Sequence, residues 1–123
     1  MQLDTFTQAY LECALYTSTD NSTPSGGYPL DKNYNLMDFT EEAMAKAEAE
    51  CAAFQSENEG LLEFAGTDKQ NGCDFWLTRN QHGAGFWCRD YDNDTAMALT
   101  DAAHAHGECH VYIGDDGKLH LNG

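Results

Sequence analysis

The sequence predicts an α+β fold of element order ααββαββ, with an antiparallel sheet of about four strands and helices packed on one face. Three observations carry that expectation. Apolar residues recur every three to four positions in the N-terminal half and again before Gly107. The period shortens to two around residues 74–89 and 110–121, in each case about a glycine-containing turn. The 123 residues, 41% of them hydrophobic, suffice for one core but leave little room for two. Residues 1–123 therefore read as a single domain, with a long loop at 18–36 and a ββαββ core at 73–121.

The first helix is expected from Asp4 to about Thr17, with Phe6, Tyr10, Cys13, Ala14 and Thr17 on one stripe and Asp4 or Thr5 as cap. Residues 18–36 have no period, and Tyr28, Leu30, Tyr34 and Leu36 are the side chains available to pin them to the body. The second helix should start at Thr40, with Phe39 and Met44 as a hydrophobic staple and Glu41 and Glu42 at the positive end of the dipole. Met44, Ala47, Cys51 and Phe54 form its inner stripe, and Gly66–Gly72 reads as a linker.

A hairpin is expected next, pairing Phe75 with Cys88, Leu77 with Phe86, Trp76 with Trp87 and Asp74 with Arg89. Asp94 should cap a third helix running to His106, with Ala96, Leu99 and Ala103 inside and Gly107 as its stop. The C-terminal hairpin pairs Val111 with Leu121 and Ile113 with Leu119 around Asp115-Asp116-Gly117, with Gly117 left-handed. This arrangement places Trp76, Trp87 and Tyr112, with His110 and His120, on the sheet face away from the helices.

Charge is the dominant global signal. Twenty-one Asp and Glu face six Lys and Arg, a formal net charge of −15. Such a surface repels nucleic acid and anionic lipid and attracts basic proteins, although solubility alone is a competing explanation. No apolar run approaches the length of a membrane span, and the start, Met1 to Thr5, lacks the basic and apolar regions of an export signal. The expected location is a cytoplasm. Five cysteines with no C-x-x-C pair argue against a disulfide framework.

The stretch from Asp74 to Trp87, with Tyr112-Ile113-Gly114-Asp115-Asp116-Gly117-Lys118, resembles a group of small proteins carried by bacteriophages and prophages. The motif is DFWLTRNxHGAGFW, and the resemblance covers roughly residues 73–121, with the N-terminal helices following loosely. This chain has Gln81 where the group has Gly, and Cys88 where the group has Asp. The resemblance implies a phage context and the host cytoplasm, where small acidic proteins commonly block defence systems. It brings no catalytic activity with it.

Chemistry-bearing constellations are few. His82, His104, His106, Cys109, His110 and His120 match no zinc spacing, and Asp90-x-Asp92-x-Asp94 with Asp101 echoes a calcium loop but has Thr95 in place of its glycine. Neither a metal nor a cofactor is called for. The leading expectation is a phage-encoded acidic inhibitor of a host defence factor, of anti-CRISPR or DNA-mimic type. Its partner would be a basic host protein, such as a nucleic-acid-binding defence complex. The candidate binding residues are Glu41, Glu48, Glu57, Glu59, Glu63, Trp76, Trp87, Tyr112 and His82. Two other readings stand beside it. One is a small enzyme using His82 with Arg79 or Asp74. The other is a structural or housekeeping phage protein whose acidity serves solubility.

Overall fold

Helix α1 (Thr5–Thr17) is the hub of the molecule. The computed structural model describes residues 3–20, 28–30, 34–81, 85–89 and 91–122. Asp4 caps α1 by accepting from the Thr7 amide at 2.8 Å. Only the i, i+4 line of Gln8, Glu12 and Tyr16, with Thr5 at its start, faces outward. Phe6, Tyr10, Leu11, Ala14 and Leu15 fill the rest of the circumference and are buried. After α1, the two-residue strands β1 (Thr19–Asp20) and β2 (Tyr28–Pro29) pair antiparallel. Leu30 is buried in the core, and Tyr34 and Leu36 pack against it, so these three do anchor the segment. The side chain of Tyr28 lies outside the described residues.

Helix α2 (Glu41–Glu57) begins where its sequence signals say, with Thr40 Oγ1 accepting from the Ala43 amide at 3.0 Å. Ala43, Ala47, Cys51 and Phe54 are its buried stripe, with Met44 half-buried at the edge. Asn58 closes α2 by donating from Nδ2 to the Phe54 carbonyl at 2.8 Å, and the short α3 (Glu59–Leu62) follows.

The expected four-stranded sheet and the order ααββαββ do not hold. Residues expected to form the first hairpin lie instead in helix α4 (Asp68–Arg79) and in a single 3-10 turn, Phe86–Cys88. Among the described residues the fold is mainly helical, and apart from the β1–β2 pair the strands form one two-stranded hairpin. A strand would send Phe75 and Trp76 to opposite faces. The helix buries both. Phe75 stacks on Phe54 with ring centroids 4.1 Å apart, while Trp76 meets Tyr10 edge-on at 5.3 Å and donates from its indole to Thr17 Oγ1 at 2.8 Å. Helices α1 and α4 can approach this closely because position 72 is glycine. Any Cβ there would collide with the Phe6 carbonyl oxygen.

Helix α5 (Asn93–Ala105) is capped by Asp92 rather than Asp94. Asp92 accepts from both the amide and the hydroxyl of Thr95, at 2.9 and 2.8 Å. The carboxylate and threonine of the calcium-loop echo are thereby used as a helix cap, and Ala96, Leu99 and Ala103 face inward as expected. The C-terminal hairpin, β3 (His110–Ile113) and β4 (Leu119–Asn122), has the expected register, with Val111 opposite Leu121 and Ile113 opposite Leu119. Gly117 takes φ 75° in its three-residue loop. Leu119 plugs the core, and its carbonyl accepts from the Thr40 amide at 3.0 Å, tying the hairpin to the start of α2.

Candidate acidic interface

Both arginines are engaged in ion pairs within the fold. Arg79 is 1% exposed and donates four hydrogen bonds: Nη1 to Glu50 at 2.6 Å and to the Tyr10 hydroxyl at 2.9 Å, Nε to the Gly107 carbonyl at 2.8 Å, and Nη2 to the His106 carbonyl at 3.0 Å. Those two carbonyls close α5, so the guanidinium sits at the negative end of that helix dipole. Lys46 binds the other Glu50 oxygen at 3.0 Å. Burial pushes the Glu50 carboxyl up, but hydrogen bonds from Arg79 and Lys46 outweigh it and hold the group below the ordinary carboxylate range. Burial likewise lifts the Tyr10 phenol well above its usual value, with Arg79 opposing. Asp74 is fully buried and takes a two-pronged pair from Arg89, at 3.0 and 2.7 Å. The Asp74–Arg89 contact expected of a hairpin therefore exists, but it joins a helix to the segment beyond a 3-10 turn.

The carboxylates lie outside. Residues 41–63 carry seven glutamates against the single Lys46, and all but Glu50 are exposed. They do not form one face. Glu41 and Glu48, seven residues apart, share a side of α2, whereas Glu57 lies about two and a half turns beyond Glu48 and so on the opposite side. They fall in two clusters, and the second has more structure around it.

At that second cluster the C-terminal ends of α2 and α5 enclose a groove of about 410 Å³ lined by Ala53, Glu57, Asn58, Ala102, Ala105 and His106. Glu57 and His106 face each other across it, 3.6 Å apart. Asp101, exposed and one turn from Ala105, lies on the same side of α5. Glu59 and Glu63 follow at α3, and Phe64, 73% exposed, directly follows Glu63. The alanine floor leaves room for a long, slender side chain, and the carboxylates around it favour a cationic one.

The remaining expected site residues are dispersed. Trp76 is 2% exposed and belongs to the core, Trp87 is 54% exposed on the 3-10 turn, and Tyr112 lies on β3 stacked on His120 at 5.1 Å. With the sheet absent, the expected aromatic face is absent too. His82 lies outside the described residues. Its proposed helpers, Arg79 and Asp74, are buried and engaged as above. Among the described residues no three His, Cys, Asp or Glu gather as metal ligands would, and no helix is long and apolar enough to cross a membrane. The sequence singles out Asp101 and His106 only as candidate metal ligands, and it gives no mark to the alanine floor. Alanine at 53, 102 and 105 reads as ordinary helix composition until two helices bring the positions together.

Comparison with protein-family models, with curated proteins and with solved structures finds no match.

Proposed function

We propose that this protein is an acidic docking protein that engages a basic protein surface through the corner formed by the end of α2, α3 and the end of α5. The observation that carries the reading is the segregation of charge. The two arginines are consumed in ion pairs with Asp74 and Glu50, while Glu57, Glu59, Glu63 and Asp101 are left to solvent around a groove and an exposed Phe64. An aromatic anchor ringed by charge complementary to the partner is the usual anatomy of an energetic centre in an interface. In the phage setting that the Asp74–Trp87 motif suggests, the partner is a nucleic-acid-binding host defence factor in the host cytoplasm. The carboxylates would then stand where nucleic-acid phosphates otherwise bind.

The test is capture of a partner from host lysate at low salt, followed by salt titration and competition with duplex DNA. The reading expects a basic partner whose affinity falls steeply with salt and which DNA displaces. Failure to retain any basic protein at low salt, or retention indifferent to both salt and DNA, contradicts it.

A further inference from the structure

Two thiols unrelated to the acidic corner meet where α1 and α4 are pressed together. Cys13 is buried, Cys73 is partly exposed, and both are free. Gly72, by admitting the Phe6 backbone, brings the neighbouring Cys73 against α1. The Cys13 thiol donates to the Cys73 carbonyl oxygen across 3.6 Å, which sets the two cysteines side by side where α1 packs on α4. The influence of the two side chains on each other raises the Cys13 thiol and lowers the Cys73 thiol, and burial adds to the first and opposes the second. The nearby Asp74 carboxylate disfavours the Cys73 thiolate, and the Arg89 guanidinium partly offsets it. The pair is therefore asymmetric, with an accessible sulfur that ionises more readily and a buried partner that stays protonated.

We propose that Cys13 and Cys73 form a dithiol site that hydrogen peroxide oxidises to an intramolecular disulfide linking α1 to α4. The Cys73 thiolate attacks one peroxide oxygen and the O–O bond breaks. The departing hydroxide takes up a proton and leaves as water, and Cys73 is left as a sulfenic acid. The Cys13 sulfur then attacks the Cys73 sulfur. The sulfenic hydroxide departs with the Cys13 proton as a second water, and the S–S bond forms. Two thiols lose two electrons, and one peroxide is reduced to two waters. The linked hub would be harder to unfold, because a bridge between residues sixty apart in sequence restricts the unfolded chain.

The experiment exposes the full-length native chain to hydrogen peroxide, blocks remaining thiols under denaturing conditions, and maps peptides without reduction. The proposal expects a product lighter by two hydrogens, a linked peptide pair containing residues 13 and 73, and a melting temperature raised by about 4 °C or more that dithiothreitol returns to its starting value. In Cys13→Ser, Cys73 should instead halt at a sulfenic acid that a cyclic diketone traps. If that variant does not fold, the wild-type peptide map decides alone. Oxidation confined to the exposed Cys88, or any pattern lacking the 13–73 bridge, overturns the proposal. Neither result bears on the acidic corner, whose partner binding is read separately under reducing conditions.

Discussion

The same kind of side chain plays opposite parts in two regions of this molecule. In the interior, Glu50 and Asp74 are each closed by a guanidinium at hydrogen-bonding distance. At the corner of α2, α3 and α5, Glu57, Glu59 and Glu63 are exposed, and the imidazole of His106 lies 3.6 Å from Glu57. Inside, a charge without its partner is heavily penalised by desolvation, so each interior pair fixes how helices meet. Outside, water screens the carboxylates from one another, so they cost the fold little and remain free for another molecule. Overall composition conceals this division. A net charge of −15 describes the whole chain, and because Arg79 and Arg89 are matched one for one by Glu50 and Asp74, that excess stands almost entirely on the outer surface.

The comparison breaks most decisively at Arg79. Arg79→Ala leaves Glu50, the Tyr10 hydroxyl and the two carbonyls closing α5 without their donor, and should cost about 3–5 kcal/mol in chemical denaturation. Asp74→Asn keeps the shape but removes the charge facing Arg89, and should cost about 1.5–3 kcal/mol by the same measurement. A loss below about 0.5 kcal/mol in both would erase the distinction between the regions.

Acid sharpens it. The folded-state pKa of Glu50 is lowered from its ordinary 4.5, so its contribution is complete above that value and disappears as pH falls through the lower folded value. A melting series from pH 6 downward should therefore stay flat until about 4.5 and then decline, with a shallower decline in Glu50→Gln. Thr67→Ala removes the hydroxyl that accepts from the Gln70 amide at 3.2 Å and should cost about 1 kcal/mol. No loss there would put the start of α4 in question. Smallest of all, Glu57→Lys with Glu59→Lys and Glu63→Lys should change stability by no more than about 0.5 kcal/mol per site.

Most of the helical framework is legible in the sequence alone. Asp4 and Thr40 cap the helices their positions suggest, and the C-terminal hairpin follows its alternation and its Gly117 turn. Helix α4 was misread because residues 74–79 satisfy both periods. Phe75, Trp76 and Leu77 are consecutive, and so short an apolar run does not discriminate a strand from a helix surrounded on most sides. The discriminating signal lay upstream in the segment taken as a linker, where Thr67-Asp68-Lys69-Gln70 is a Thr-x-x-Gln helix start. Glu41, Glu48, Glu57, Glu59 and Glu63 could be marked as exposed from sequence. Their division into two clusters depends on helix phase, and the groove beside Glu57 depends on how α5 packs. Pair partners such as Glu50 with Arg79, 29 residues apart, leave no local pattern at all.

The account rests on the position of the outer carboxylates, beyond their number. Two variants with the same change in net charge test this directly: Glu57→Lys with Glu59→Lys and Glu63→Lys, and Glu12→Lys with Glu41→Lys and Asp115→Lys, all at exposed positions. Affinity for the captured basic partner, measured at one low salt concentration, should fall at least about a hundredfold in the first variant and less than about tenfold in the second, since contact charges outweigh distant screened ones. Equal losses in the two would show that only net charge matters, and would contradict an interface at the α2–α3–α5 corner.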